Sequence, residues 1–185
     1  MTGFSNGIPS SNTTPGGGAV APWATVRIHD ARLVELDPAV LYRILALRVD
    51  VFVVEQACPY PETDGRDLEP AARQLWIERD GAVVATLRLL VDPDGAARIG
   101  RVATAVDARG EGLAARLMDR ALELCAGRTV VLEAQSHLRG WYARFGFAQG
   151  GAEYLEDGIP HVPMRRAPAP TAAPAPAPAD GAGTS

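Results

Sequence analysis

Arg98-Ile99-Gly100-Arg101-Val102-Ala103-Thr104, then Ala105-Val106-Asp107-Ala108, then Arg109-Gly110-Glu111-Gly112-Leu113-Ala114-Ala115-Arg116-Leu117-Met118 is the stretch on which the fold of this chain turns. Its first part reads as a strand. After a short turn, Leu113, Leu117, Ala121, Leu122 and Cys125 recur at helical spacing, so a strand feeds a helix through a loop with two glycines. The first backbone N–H groups of a helix lack intrahelical partners, and the helix dipole places partial positive charge beside them. An anion satisfies both. Gly110 and Gly112 remove side chains that would keep a diphosphate from the main chain, and Arg109 and Arg116 add charge suited to phosphate oxygens. The loop reads as a phosphate cradle; the plainer alternative is a turn that needs glycine for steric reasons.

Two other phosphate motifs are excluded. The chain has no lysine, hence no G-x-x-x-x-G-K-[ST], and no G-x-G-x-x-G follows a candidate strand. With 185 residues, 47% of them hydrophobic, the chain can bury one good core. A formal net charge of -4 argues against nucleic acid, whose phosphates call for a basic face. Cys58 and Cys125 form no C-x-x-C and read as free thiols, and the scattered histidines offer no metal-ligand spacing, so no metal is expected. Residues 1–22 lack the basic start and apolar core of a signal peptide, and no apolar run approaches the roughly 20 residues of a membrane helix. These features lead us to expect a cytoplasmic protein without a membrane partner, monomeric or homodimeric.

Residues 1–22 and 167–185 have the low-complexity composition of disordered tails, leaving 23–166 as the folded domain. Thr25 to Ala31 reads as a strand, and Asp37-Pro38 opens a helix as N-cap and first-turn proline. Pro59 and Pro61 start a polar loop over 62–70. Strands over 74–79 and 83–91 meet at Asp80-Gly81 as a hairpin. After the strand and helix of the opening stretch, Gly127 marks a helix end. Residues 129–134 read as a buried strand, 138–144 as a short helix, and Gly146-Phe147 as the return to the sheet. The resulting order is a mixed α/β sheet whose fourth and fifth strands, separated by one helix, can lie parallel.

Arg109, Gly112 and Ala114, placed after a strand as R-x-x-G-x-A, resemble the acetyl-CoA pyrophosphate loop of GNAT-type N-acetyltransferases. Further segments fall in family order. Leu47-Arg48, Val51-Phe52-Val53, Glu55-Gln56, Tyr60 and Asp64-Gly65-x-Asp67 look like the start of the ElaA-like branch. Ala134-Gln135-x-His137-Leu138, Trp141-Tyr142-x-x-Phe145-Gly146-Phe147 and Glu156-Asp157-Gly158-Ile159-Pro160-His161 continue it. The resemblance implies a GNAT-type mixed sheet, flanked by helices, in which the parallel fourth and fifth strands splay to admit the pantetheine arm.

It further implies direct attack of an amine, from a small molecule or peptide, on the acetyl-CoA thioester, with Tyr142 as general acid. Backbone groups of Val102, Ala103 and Thr104 would meet the pantetheine, and Arg109, Gly110, Glu111, Gly112, Leu113 and Ala114 would hold the pyrophosphate. Thr104 and Val106 stand where many members carry Val and Pro. On the acceptor side, Glu55, Glu133, His137 and His161 are candidates for the proton acceptor, with Glu55 and His137 placed in catalysis and Tyr60 and His161 in acceptor binding. Glu55, Asp64, Asp67, Glu156 and Asp157 would give that pocket negative potential. Two alternatives stand beside the enzyme: a catalytically silent acyl-CoA-binding sensor module, and an acyl-homoserine-lactone-synthase-like acyltransferase. The latter needs an S-adenosylmethionine pocket, for which no distinct motif is found.

Overall fold

The computed structural model describes residues 26–168; the expected tail over 1–22 and all but the first two residues of that over 167–185 lie outside them. The chain runs β1 (Ile28–Arg32), α1 (Pro38–Val49), β2 (Arg73–Arg79), β3 (Ala82–Val91), β4 (Ala97–Thr104), α2 (Leu113–Leu124), β5 (Val130–Gln135), α3 (Arg139–Ala143), β6 (Ala148–Gln149), β7 (Tyr154–Glu156) and β8 (Ile159–Arg166). They form one sheet in the order β1-β2-β3-β4-β5-β8-β6, with β7 paired to β8. Only β4 and β5 are parallel among these pairs; the rest are antiparallel.

Helices cover both faces, and strand alternation explains how. Leu75 and Ile77 of β2 join Leu113, Leu117, Met118 and Ala121 of α2 in one core, while Trp76 between them joins Ile44, Leu47 and Val51 on the other side. Asp37 caps α1 as its sequence announces: Oδ1 accepts from Ala39 N–H at 2.7 Å, and Pro38 follows at the first helical position. The Asp80-Gly81 turn has φ of 50° and 79°, the paired left-handed geometry that suits a tight hairpin.

The first strand is seen from Ile28, which pairs with Ile77 of β2; the expected start at Thr25 lies outside the described residues. The last part of the sheet is larger than expected: the chain after Gly146-Phe147 forms a hairpin, with β7 and β8 joined by Asp157-Gly158 and His161 within β8, opposite Gln135. Pro163 interrupts neither side of β8. Its carbonyl accepts from Gly150 N–H at 2.8 Å, so its nitrogen points to the side where β6 has already ended.

The feature that positions the site is the parting of β4 from β5. They share register only at Ala97↔Val130 and Arg98↔Val131; beyond Arg98 the β5-facing edge of β4 is open. β4 also bulges. The register shifts between Arg88↔Gly100 and Thr86↔Ala103, leaving Arg101 and Val102 opposite Leu87, and Arg101 takes a φ of 54°. Bulges of this kind redirect backbone and side chains beside active sites.

Candidate active site

The parted strands open into a cavity of about 940 Å³. Val102, Ala103 and Thr104 line it from β4, Leu132, Glu133 and Gln135 from β5, and Tyr142 and His137 from the segment after β5. Arg109 and Ala114, which flank the glycine loop, line it as well. Gly110 and Gly112 have φ of 80° and 78°, and a Cβ on either would meet nothing within 4 Å. Glycine is needed there for its backbone conformation, and the space outside it is free for a ligand. Gly112 provides no side-chain cap, and the first bond into α2 runs from Arg116 N–H to Gly112 C=O at 3.1 Å. The N–H groups of Leu113, Ala114 and Ala115 therefore have no intrahelical acceptor. Two left-handed glycines before a helix N-terminus make a concavity of N–H donors that suits a diphosphate.

The side chains around this loop are arranged differently from the sequence reading. Arg109 makes a two-pronged ion pair with Glu55, at 2.8 Å and 2.6 Å, and its Nε donates to the Thr104 carbonyl at 3.1 Å. The hydrogen bonds from Arg109 hold the Glu55 carboxyl below its ordinary pKa, against the requirement for a group that must accept a proton. Arg116 donates to the Val26 carbonyl at 3.0 Å, and Glu111 turns its carboxylate to Arg79 while its main chain stays in the loop. Main chain and helix dipole are thus the principal offer to an anion here.

Tyr142 is buried, 7% exposed, at an edge-to-face distance of 4.8 Å from Trp141 and 6.2 Å from Phe147. Among the described residues its hydroxyl has no hydrogen-bond partner, and it lines the cavity. Burial pushes its pKa up to about 12, so the phenol stays protonated at neutral pH.

On the acceptor side, His161 lies in the cavity wall with Nδ1 2.9 Å from the Ile159 carbonyl. That contact assigns the proton to Nδ1 and leaves Nε2 as the basic nitrogen. His137, in a short turn before α3, is exposed at the rim and has no hydrogen bond among the described residues. Glu133 receives Tyr154 Oη at 3.1 Å and Arg98 at 3.3 Å. Tyr60 gives its hydroxyl to Glu62 and lies under the Arg101 guanidinium, 5.6 Å from the ring centre. Burial, followed by that bond to Glu62, raises its pKa.

Asp64 and Asp67 do not supply the free negative potential expected of them. Asp67 takes Arg48 at 2.8 Å and 3.2 Å, Gln74 at 2.8 Å and Arg88 at 3.0 Å. Asp64 takes both Nη atoms of Arg88 at 2.7 Å, and Glu62 is bound by Arg48 and by Arg101 at 2.9 Å. Three carboxylates meet three guanidinium groups, and the cavity floor is close to neutral. The expectation of negative charge narrows to Glu156, whose carboxylate lies 3.9 Å from the His161 ring, and Asp157, whose carboxylate has no partner among the described residues. The roles of Arg48, Glu62, Arg88 and Arg101 escaped the sequence reading because a charged residue carries no sign of a partner 14 to 39 residues away.

Comparison with known proteins agrees with this geometry. The acetyltransferase (GNAT) domain family model matches residues 48–167. A UPF0039 protein of Mycobacterium tuberculosis is 51% identical over 136 residues, covering 71% of this chain and 87% of that protein. A crystal structure of an acyl-CoA N-acyltransferase from Pseudomonas aeruginosa superposes with a TM-score of 0.74 at 45% identity, covering 77% of this chain and all of that one. The Escherichia coli ElaA crystal structure gives a TM-score of 0.72 at 39% identity, covering 76% of this chain and 99% of that one. With its parted β4 and β5 and a glycine loop opening α2, the chain belongs to the GNAT acetyltransferase family, in the branch that includes ElaA.

Proposed function

We propose that this protein transfers the acetyl group of acetyl-CoA to an amine of a small molecule or peptide by direct attack. The observation that carries the reading is a side-chain-free N–H concavity, flanked by the cavity-lining Arg109 and Ala114, next to a parted, open β4 edge that lines the same 940 Å³ cavity. The main chain of Gly110 to Ala114 holds the diphosphate, assisted by the dipole of α2. The open edge of β4 at Val102 and Thr104 offers backbone groups to the pantetheine amides and one N–H to the thioester oxygen. Arg109 acts here through its fold-back onto Thr104 and Glu55 rather than as an uncompensated charge.

The thioester supplies the acetyl group; the protein manages two protons. His161 Nε2 takes one from the attacking ammonium, and its cavity position favours it over His137 at the rim. Tyr142 donates its hydroxyl proton toward the leaving sulfur. A pKa near 12 makes it a reluctant acid, so its contribution is strongest as a hydrogen bond that tightens as charge builds on sulfur. Glu156 and Asp157 attract a cationic acceptor. A cavity-lining tyrosine whose hydroxyl has no partner among the described residues, and a cavity-lining histidine, favour an enzyme over a silent sensor.

The test is acetyl transfer to a panel of cationic and neutral amines with wild type and Tyr142→Phe. Wild type should turn over, cationic acceptors first, and Tyr142→Phe should lower kcat about 10²-fold while leaving the KM for acetyl-CoA nearly unchanged. Full activity in Tyr142→Phe would remove this residue from the mechanism.

A further inference from the structure

Three residues within the four-residue stretch 55–58 reach three separate walls of the cleft. α1 loosens into a π-helical turn over Asp50–Glu55, a distortion often found at functional sites. Ala57 then takes a φ of 49°, turning the chain sharply at a residue that pays strain for it. Within this bend Glu55 grips Arg109, whose Nε is fixed on the Thr104 carbonyl at the C-terminal end of β4. Gln56 Oε1 accepts from Gln135 Nε2 at 3.1 Å, at the C-terminal end of β5. Cys58 Sγ lies 3.7 Å from the Asp157 carbonyl, in the turn between β7 and β8.

The two strands thus joined are those whose ladder stops at Arg98 and Val131. Past that point their separation is not set by main-chain hydrogen bonds between them. Glu55 and Gln56, adjacent in sequence and both lining the cavity, connect the two free ends through side chains. We propose that Glu55 and Gln56 form a strap that fixes the spacing between the open ends of β4 and β5, making them positioning residues for the pantetheine arm. The inference rests on the acyl-CoA reading of the cleft. It also gives Glu55 a part that its ion pair permits, in place of proton acceptance.

The strap acts on the arm between the strands and not on the diphosphate, which meets the main chain of the glycine loop. ADP, which has the diphosphate and no pantetheine, separates the two. Calorimetric titration of the full chain with acetyl-CoA and with ADP would use wild type, Gln56→Ala, Gln135→Ala and the double variant. Each single change should weaken acetyl-CoA roughly tenfold, the double no further than either single, since both remove one shared contact. ADP affinity should stay within about twofold, inside the usual error of additivity. Glu55→Gln, which keeps the size and loses the charge, should show the same split. Unchanged acetyl-CoA affinity, additive losses, or an equal loss for ADP would overturn the strap while leaving the acyl-CoA reading in place. A wild type that binds neither probe would overturn both.

Discussion

The ion network around Arg48 and the loop after β4 are both rich in arginine and acid, yet they treat polar groups in opposite ways. Around Arg48, wholly buried, the side chains close on one another: Glu62, Asp64 and Asp67 are each bound by two arginines. In the loop the side chains also pair, Arg109 with Glu55 and Glu111 with Arg79, but the main chain at the start of α2 is left without partners among the described residues. A protein satisfies its buried polar groups almost without exception. A closed set of ion pairs is therefore architecture, and an open row of donors in a cavity is an invitation to a ligand. Charge alone does not tell the two apart; among the described residues the network leaves Arg88 Nε and Gln74 Oε1 unpartnered but sealed from solvent, whereas the donors at the start of α2 lie beside open space.

The sharpest way to break this contrast is to remove one member of the closed set. Arg48→Ala leaves Glu62 and Asp67 short of a partner inside the protein. Loss of one partner of a buried pair typically destabilises by about 3–5 kcal/mol, a large share of the ~5–15 kcal/mol that holds a domain together. Urea unfolding should report a loss of that size, and a loss below about 1 kcal/mol would mean that the network is not the structural brace its burial implies.

A smaller effect is expected from acid. Burial acts to raise the pKa values of Asp64 and Asp67, but hydrogen bonds and charge from Arg88 and Arg48 outweigh it and hold both below the ordinary range. Folded values below the unfolded value of about 3.9 mean that this stabilisation is fully present above roughly pH 4 and is lost as pH falls through the folded values. The melting temperature should hold between neutrality and about pH 4 and drop below it. Arg48→Ala should flatten part of that drop. Parallel curves for wild type and variant would place the acid sensitivity elsewhere.

What could be read in advance divides along the same line. The N-cap at Asp37-Pro38, the turn at Asp80-Gly81 and the glycines at 110 and 112 are local signals, each set by backbone conformation within a few residues. The β7–β8 hairpin had such a signal in Asp157-Gly158, but Pro160 and Pro163 disguised β8. The bulge in β4 had none, since its left-handed residue is Arg101 rather than glycine. The Arg48 network was hidden for a different reason. Its members come from α1, the loop after it, β2, β3 and β4, and an aspartate in a polar loop looks the same whether it faces solvent or two guanidinium groups. The sequence reading put Glu55 in the cleft and Arg109 in the loop; that the two bind each other is a property of the fold.

All of these arguments return to the main chain between Gly110 and Ala114. A crystal structure of the protein with coenzyme A tests it directly. Diphosphate oxygens should lie within hydrogen-bond distance, about 2.7–3.2 Å, of N–H groups in this segment, with the pantetheine arm passing between β4 and β5 toward Tyr142. A diphosphate held elsewhere, or an arm that runs outside the parted strands, would contradict the account.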